Sequence, residues 1–230
     1  FRVATENTRF AMPETSIGLF PDVGGGWHLS RLPGRIGQFI ALTGARLDGA
    51  ECLYLGFANH YVLQSSLEEI VGRLRKSPAR ARGAIGAFSA TTPDARIEQN
   101  LAVIARTFAS DRLEEIIAAL DTENSAWSDS ELATLRSKSP LSCKVSLRLL
   151  ADGQRRANFT DEMTAEYALA ARVACTHDFI EGVRALLIDK DNDPKWQPAT
   201  PEKVTDAMID QLFAPLPDGE QWQPFPETAQ

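Results

Sequence analysis

The sequence predicts an α/β chain with a small strand-bearing front, a shaped loop and a mainly helical remainder. Three observations carry this. Short, weakly alternating runs at Phe1–Thr5 and Arg9–Met12 read as strands. Proline and glycine crowd the stretch Met12–Gly26 too densely for one regular element. From residue 98 onward, apolar side chains recur at helical spacing almost to the C-terminus.

The two strands at the front need neighbours, because a two-stranded ribbon is marginal by itself. After the loop, residues 24–32 read as a helix ending near Pro33-Gly34, and Ile36, Phe39, Ile40 and Leu42 continue a helical face to Gly44. Asp48 with Glu51 has capping-box spacing, and the helix it opens stops at Gly56. Phe57–Leu63 reads as a strand, and Ser66 opens a helix through Leu74. Residues 76–96, rich in Ala, Gly, Arg, Pro and Thr, read as a linker or seam. Arg73, Arg75, Lys76, Arg80 and Arg82 make its start basic, as a solvated helix face or a contact for phosphate. The expected organisation is therefore 1–75, 76–213 and a flexible tail at 214–230.

In the helical part, Ile97, Leu101, Ile104 and Phe108 form one stripe. Asp111 with Glu114 is expected to cap the next helix, and Asn124–Ser137 forms another. Ser139-Pro140 places a capping residue before Pro at the first helical position, with Gly153 ending that helix. Thr160 opens a helix with Met163, Tyr167, Ala170 and Ala174 on one face. Asp178 with Glu181 is read as a further capping box, with Val183, Leu186 and Leu187 inward. Asp189–Asp193 imitates the start of a calcium loop, but Pro194 and Thr200 stand where such a loop needs Gly and Glu, so it reads as a solvated turn. Thr205–Phe213 is a last short helix.

Composition narrows the function classes. Hydrophobic residues make up 43% of the 230, enough for a core. The net charge of −7, from 31 acids against 24 bases, argues against nucleic acid as a partner. No apolar run approaches the ~18 residues of a membrane span. Cys52, Cys143 and Cys175 are far apart and form no framework, which suits a reducing cytoplasm. No spacing supports a metal ligand set. The opening Phe1-Arg2-Val3 has no signal-peptide pattern and reads as the middle of a longer protein.

The chemistry centres on the loop. Glu14 and Asp22 lie eight residues apart, and a loop can aim both at one point. Ile17, Leu19 and Phe20 lie between them and can desolvate a carboxylate, tuning it for acid, base or nucleophilic work. Plainer readings stand beside this one: Asp22 as a helix cap, Glu14 as a solvated loop residue, and Gly24–Gly26 as close packing at a helix start rather than a backbone anion nest. His28, His60 and His177 read as packing or structural residues.

The wording of the loop is specific. Phe10-Ala11-Met12-Pro13-Glu14-Thr15 followed by Ile17-Gly18-Leu19-Phe20-Pro21-Asp22-Val23-Gly24-Gly25-Gly26 resembles the crotonase (enoyl-CoA hydratase/isomerase) superfamily. The resemblance continues at Leu42–Leu47, Ser139–Lys144, Glu166-Tyr167, His177–Ala185, Leu187–Asp191 and Pro194–Trp196. Asp at position 22 is similar to the 3-hydroxyisobutyryl-CoA hydrolase branch, where hydratases usually have Gly. The resemblance implies the C-terminal part of a β/α spiral core followed by a mainly α-helical region.

It further implies hydrolysis of a short 3-hydroxyacyl-CoA thioester, most similar to 3-hydroxyisobutyryl-CoA in valine breakdown. Glu14 is then the general base or the nucleophile, Asp22 orients water or binds the 3-hydroxyl, and Ile17, Leu19 and Phe20 line the acyl site. CoA enters as part of the substrate, with no separate cofactor. The oxyanion donors are implied upstream of Glu14, in the preceding half of the same protein, without which the chain is expected to be poorly active. The C-terminal helices are expected to offer a surface for homo-oligomers. The compartment implied is the cytoplasm, or the mitochondrial matrix in a eukaryote. Two rival readings are an enoyl-CoA hydratase or isomerase and a non-catalytic, crotonase-like assembly fragment.

Overall fold

The computed structural model describes residues 1–222, so residues 223–230 of the expected tail lie outside the described residues. The chain divides into two compact units: Phe1–Ala11 with Arg46–Leu101, and Met12–Ala45 with Ala102 onward. This differs from a division at residue 75: residues 12–45 cluster with the helical unit, and residues 76–101 cluster with the front strands.

In the first unit, Val3–Ala4 pairs in parallel with His60–Tyr61, and Arg9–Phe10 pairs antiparallel with Leu47–Asp48. The strand expected over 57–63 is thus only two residues long. Asp48 caps the Gly49–Tyr54 helix in a full capping box, accepting from the Glu51 N–H while Glu51 accepts from the Asp48 N–H. The segment expected as a linker holds a helix at Ala81–Gly86. Its Ile85 is buried with Val62 and Ile70, an apolar cluster that a composition rich in Gly and Arg does not announce.

The second unit is built on the helix Pro140–Arg155. The helices Gly25–Leu29, Ile36–Thr43, Leu113–Glu123 and Asp206–Phe213 all pack against it. Ser139 caps it, accepting from the Ser142 N–H at 3.0 Å, with Pro140 in the first turn. Gly153 does not end this helix. It lies inside it, at a point where a Cβ would stand 2.7 Å from the Gly26 carbonyl oxygen. Glycine is there for close approach, and Arg31 holds the helix end by donating to the Gly153 and Arg156 carbonyls at 3.1 Å each.

Other caps fall one or two residues from their expected places. Asn158 and Thr176 cap the helices Phe159–Val173 and His177–Val183, accepting from Asp161 and Phe179 N–H groups. Asp111 caps nothing and instead pairs with Arg35 at 2.6 Å. The core combines Phe20, Leu141, Val145, Leu149, Leu169, Val173, Val204 and Ile209. Leu187 is exposed, contrary to the inward face expected of it. The start of the expected tail is held: Arg172 donates to the Ala214 and Pro215 carbonyls, and Leu216 is buried. Among the described residues, no helix is long and apolar enough to cross a membrane.

Candidate active site

Glu14 opens a short 3₁₀ turn, Glu14–Ile17, closed by Gly18 in the left-handed conformation at φ +76°. Four contacts fix that turn. The buried Thr15 hydroxyl donates to the Leu42 carbonyl at 3.3 Å, and the Thr15 carbonyl accepts from the Ser139 N–H at 3.2 Å. Lys138 donates to the Ser16 hydroxyl at 2.7 Å. A Cβ on Gly18 would lie 2.2 Å from the Asp178 carbonyl oxygen, so the His177–Val183 helix rests directly on the turn backbone. Glu14 is therefore presented by a rigid support rather than a free loop.

The Glu14 carboxyl is half-buried, and its Oε2 is sealed from solvent without a hydrogen-bond partner among the described residues. Burial pushes this carboxyl up to about 7, its own backbone N–H pulls it part of the way back, and the Asp22 charge adds to the rise. The two acids singled out in sequence are thus close enough to feel each other. A carboxyl that titrates near neutrality with an uncommitted oxygen is equipped to take and return a proton.

Asp22 does not cap the following helix. The cap position of Gly25–Leu29 is Gly24 at φ +87°, and no side chain serves it. No hydrogen bond among the described residues holds the Asp22 carboxylate, and its backbone carbonyl accepts from the Gly25 N–H at 2.8 Å. The glycines after it satisfy both readings given to them. The Gly24 and Gly26 N–H groups donate to Oε2 and Oε1 of Glu166 at 2.7 and 3.1 Å, which makes an anion nest filled by the protein's own carboxylate. These amides are committed and do not offer an oxyanion hole. Close packing is equally real, since a Cβ on Gly26 would stand 2.0 Å from Glu162 Oε1.

Of the apolar residues between the acids, Phe20 is fully buried in the core, which corrects its reading as an acyl-site residue. Ile17 and Leu19 are half-buried, and Leu19 packs on the same core. Both lie on the short path joining Glu14 to Asp22.

The supporting role of four residues is absent from the sequence reading. Glu162 and Glu166, not Met163 and Tyr167, sit on the buried face of their helix with Leu169 and Val173. Glu162 is fully buried and paired with Arg156 at 2.8 Å, with Oε1 left unpartnered. Burial lifts the Glu166 carboxyl to about 7 against the pull of the two glycine amides, with the Glu162 and Asp22 charges raising it further. Asp178 is fully buried and accepts from the Ser139 hydroxyl and the Gln197 N–H, rather than opening a capping box. Burial drives Lys138 below the usual lysine range. Periodicity hides the two glutamates, because acids on a helix read as its wet face; the hint was their four-residue spacing in register with Leu169 and Val173. His177, as expected, is structural, contacting the Lys195 carbonyl at 2.9 Å.

The site is a polar buried frame that carries Glu14 and Glu166, both raised to about 7, with Asp22 on a glycine turn between them in sequence. The family model described as "Enoyl-CoA hydratase/isomerase" matches residues 1–213, and the chain belongs to that family. It is 42% identical over 236 residues to a protein of Arabidopsis thaliana named probable 3-hydroxyisobutyryl-CoA hydrolase 3, covering 97% of this chain and 62% of that protein. It is also 42% identical to a mitochondrial 3-hydroxyisobutyryl-CoA hydrolase of Gallus gallus, over 94% of this chain and 58% of that one. Among solved structures, a carnitinyl-CoA dehydratase from Mycobacterium thermoresistibile superposes with a TM-score of 0.88 at 33% identity, over 94% of this chain and 62% of its own. An enoyl-CoA hydratase from Rhodobacter sphaeroides gives 0.85 at 34% identity, with the same coverage. The fold is the C-terminal portion of a crotonase fold, and the chain spans about three-fifths of the length of these relatives.

Proposed function

We propose that this chain carries the acid–base half of an acyl-CoA thioester hydrolase acting on a short 3-hydroxyacyl-CoA, with 3-hydroxyisobutyryl-CoA as the substrate. The observation that carries the reading is Glu14: a rigidly mounted carboxyl raised to about 7, with one unpartnered oxygen and Asp22 as its acidic neighbour. Glu14 takes a proton from water, whose oxygen attacks the thioester carbonyl. The C–S bond then breaks, and the departing CoA thiolate receives the proton back. Asp22 orients that water or holds the substrate's 3-hydroxyl, and Ile17 and Leu19 flank the acyl group. The two relatives named as 3-hydroxyisobutyryl-CoA hydrolases support the substrate class.

The glycine amides of residues 24 and 26 are engaged by Glu166, and the family resemblance implies that donors for the developing oxyanion lie upstream of Glu14. Losing even one such donor typically costs about 2.7–4 kcal/mol of transition-state stabilisation. CoA enters with the substrate and no separate cofactor takes part. The enzyme works in the cytoplasm, or in the mitochondrial matrix of a eukaryote, and its C-terminal helices join copies of the chain.

The test is thiol release from 3-hydroxyisobutyryl-CoA by the full-length protein, beside Glu14→Gln, with crotonyl-CoA followed by loss of its enoyl absorbance. Release that disappears in the Gln variant supports the reading. Loss of the enoyl signal without thiol release replaces it with a hydratase, and neither activity replaces it with an assembly role.

A further inference from the structure

We propose that Glu166 is a positioning residue: its carboxylate holds the Asp22–Gly26 turn in a left-handed form that the chain would otherwise leave, and so fixes where Asp22 points. The inference rests on the reading of Asp22 as a member of the active pair.

The turn is strained at a specific place. Val23 has φ +50°, a region that β-branched residues rarely adopt, and Gly24 follows at φ +87°. Burial does not compensate Val23, which is 76% exposed. Two successive left-handed residues turn the amides of residues 24 and 26 toward one point, and the Glu166 carboxylate occupies it with one oxygen on each. The clamp is itself immobilised. Glu166 is buried on the Phe159–Val173 helix, and one turn earlier Glu162 is locked by Arg156. The Phe159 ring covers Gly24, where a Cβ would lie 2.7 Å from Cε2.

Asp22, by contrast, has only its backbone to direct it, because no described residue hydrogen-bonds its carboxylate. It is also the immediate neighbour of the strained valine. If the Val23 backbone relaxes toward an ordinary conformation, the Asp22 carboxylate swings with it. The chemistry of the clamp is particular: two N–H donors need two acceptor oxygens. A carboxylate supplies both, whereas a carboxamide supplies one acceptor and one donor. Strain kept beside a reacting group, and over-determined by its surroundings, is where local backbone cost serves function.

The test compares Glu166→Gln, Asp22→Asn, Val23→Gly and their pairwise combinations with Glu166→Gln in the full-length protein. Amide hydrogen exchange at Gly24 and Gly26 is expected to quicken at least tenfold in Glu166→Gln. Turnover of the thioester is expected to fall about 10- to 100-fold, the scale of an ångström's misplacement. The same substitution costs nothing further in the Asp22→Asn background, where no carboxylate remains to be aimed. Val23→Gly, which removes the strain, recovers part of the turnover lost with Glu166→Gln. If Glu166→Gln alone does not fold, its combination with Val23→Gly is read instead, against Val23→Gly.

Unchanged exchange at Gly24 and Gly26 overturns the clamp. Quicker exchange with full turnover, or an equal loss in the Asp22→Asn background, reduces Glu166 to a structural role and overturns the proposal. Should the wild-type protein hydrate crotonyl-CoA and release no thiol, the hydrolase reading fails, and the same comparisons on hydration decide the positioning role. Absence of both activities ends both, while the exchange data still decide the clamp.

Discussion

Ser139 donates its hydroxyl to the fully buried Asp178 carboxylate at 2.5 Å. The same serine accepts from the Ser142 N–H as helix cap and gives its own N–H to the Thr15 carbonyl. One residue therefore joins a helix start and a buried acid through its hydroxyl, and the turn that presents Glu14 through its backbone N–H. The parallel with Glu166 is close: each acid of the candidate pair stands on a backbone segment braced by another buried carboxylate.

Ser139→Ala is expected to destabilise the fold by about 1–3 kcal/mol, because it removes a cap and leaves a buried carboxylate short of a partner. Urea unfolding would register this as a lower midpoint at an unchanged slope. A shift within experimental error would mean that water replaces the hydroxyl at Asp178.

Gly18 and Gly34 separate two costs that are usually mixed. Both are left-handed, at φ +76° and +61°. A Cβ on Gly18 meets the Asp178 carbonyl at 2.2 Å, whereas one on Gly34 meets nothing within 4 Å. Gly34→Ala should cost only the conformational term of about 1–2 kcal/mol. Gly18→Ala should add roughly 1–3 kcal/mol of overpacking against rigid backbone. Thermal unfolding of the two variants side by side checks the difference; equal losses would show that the His177–Val183 helix can lift off the turn.

Much of this was legible in the sequence because it was local. The wording of Met12–Gly26 gave the family, the Asp48–Glu51 and Ser139-Pro140 caps follow from spacing, and the loop was read as a loop. What stayed hidden is non-local. Nothing near Gly24 says that its amide is spoken for by a glutamate 142 residues away. Gly153 looked like a helix stop because a glycine within a helix is disfavoured by itself, and the Gly26 backbone against it supplies the reason. Phe20 looked like a pocket wall because it lies between two acids, yet Leu141, Val145 and Leu149, far along the chain, enclose it in the core.

Glu14 and Glu166 both have folded-state values near 7, above the ordinary 4.5. Between those limits the folded state binds more protons than the unfolded state. Their contribution to stability is thus fully present below about 4.5 and is lost as pH rises through 7. Denaturant midpoints are expected to fall from pH 5 to pH 8, with a shallower slope in Glu14→Gln and in Glu166→Gln. Turnover should run the other way, rising to a plateau above about 7 as Glu14 becomes the free base. A midpoint that climbs through this range would show that burial raises neither carboxyl.

Glu162 supplies the sharpest test of the buried frame. It is fully buried and ion-paired with Arg156, whose side chain is 18% exposed. Removing one partner of such a pair strands a charge, at a cost of about 3–5 kcal/mol, whereas replacing both with apolar groups of similar volume is often neutral. Arg156→Met is therefore expected to be strongly destabilising alone and largely corrected by adding Glu162→Met. The rescued double variant should still bury Glu166 against Gly24 and Gly26, since neither amide bonds to Glu162. A double-mutant cycle in urea measures the coupling. If the two losses simply add, the pair is solvated in solution, and the rigidity attributed to this helix face must come from Leu169 and Val173 instead.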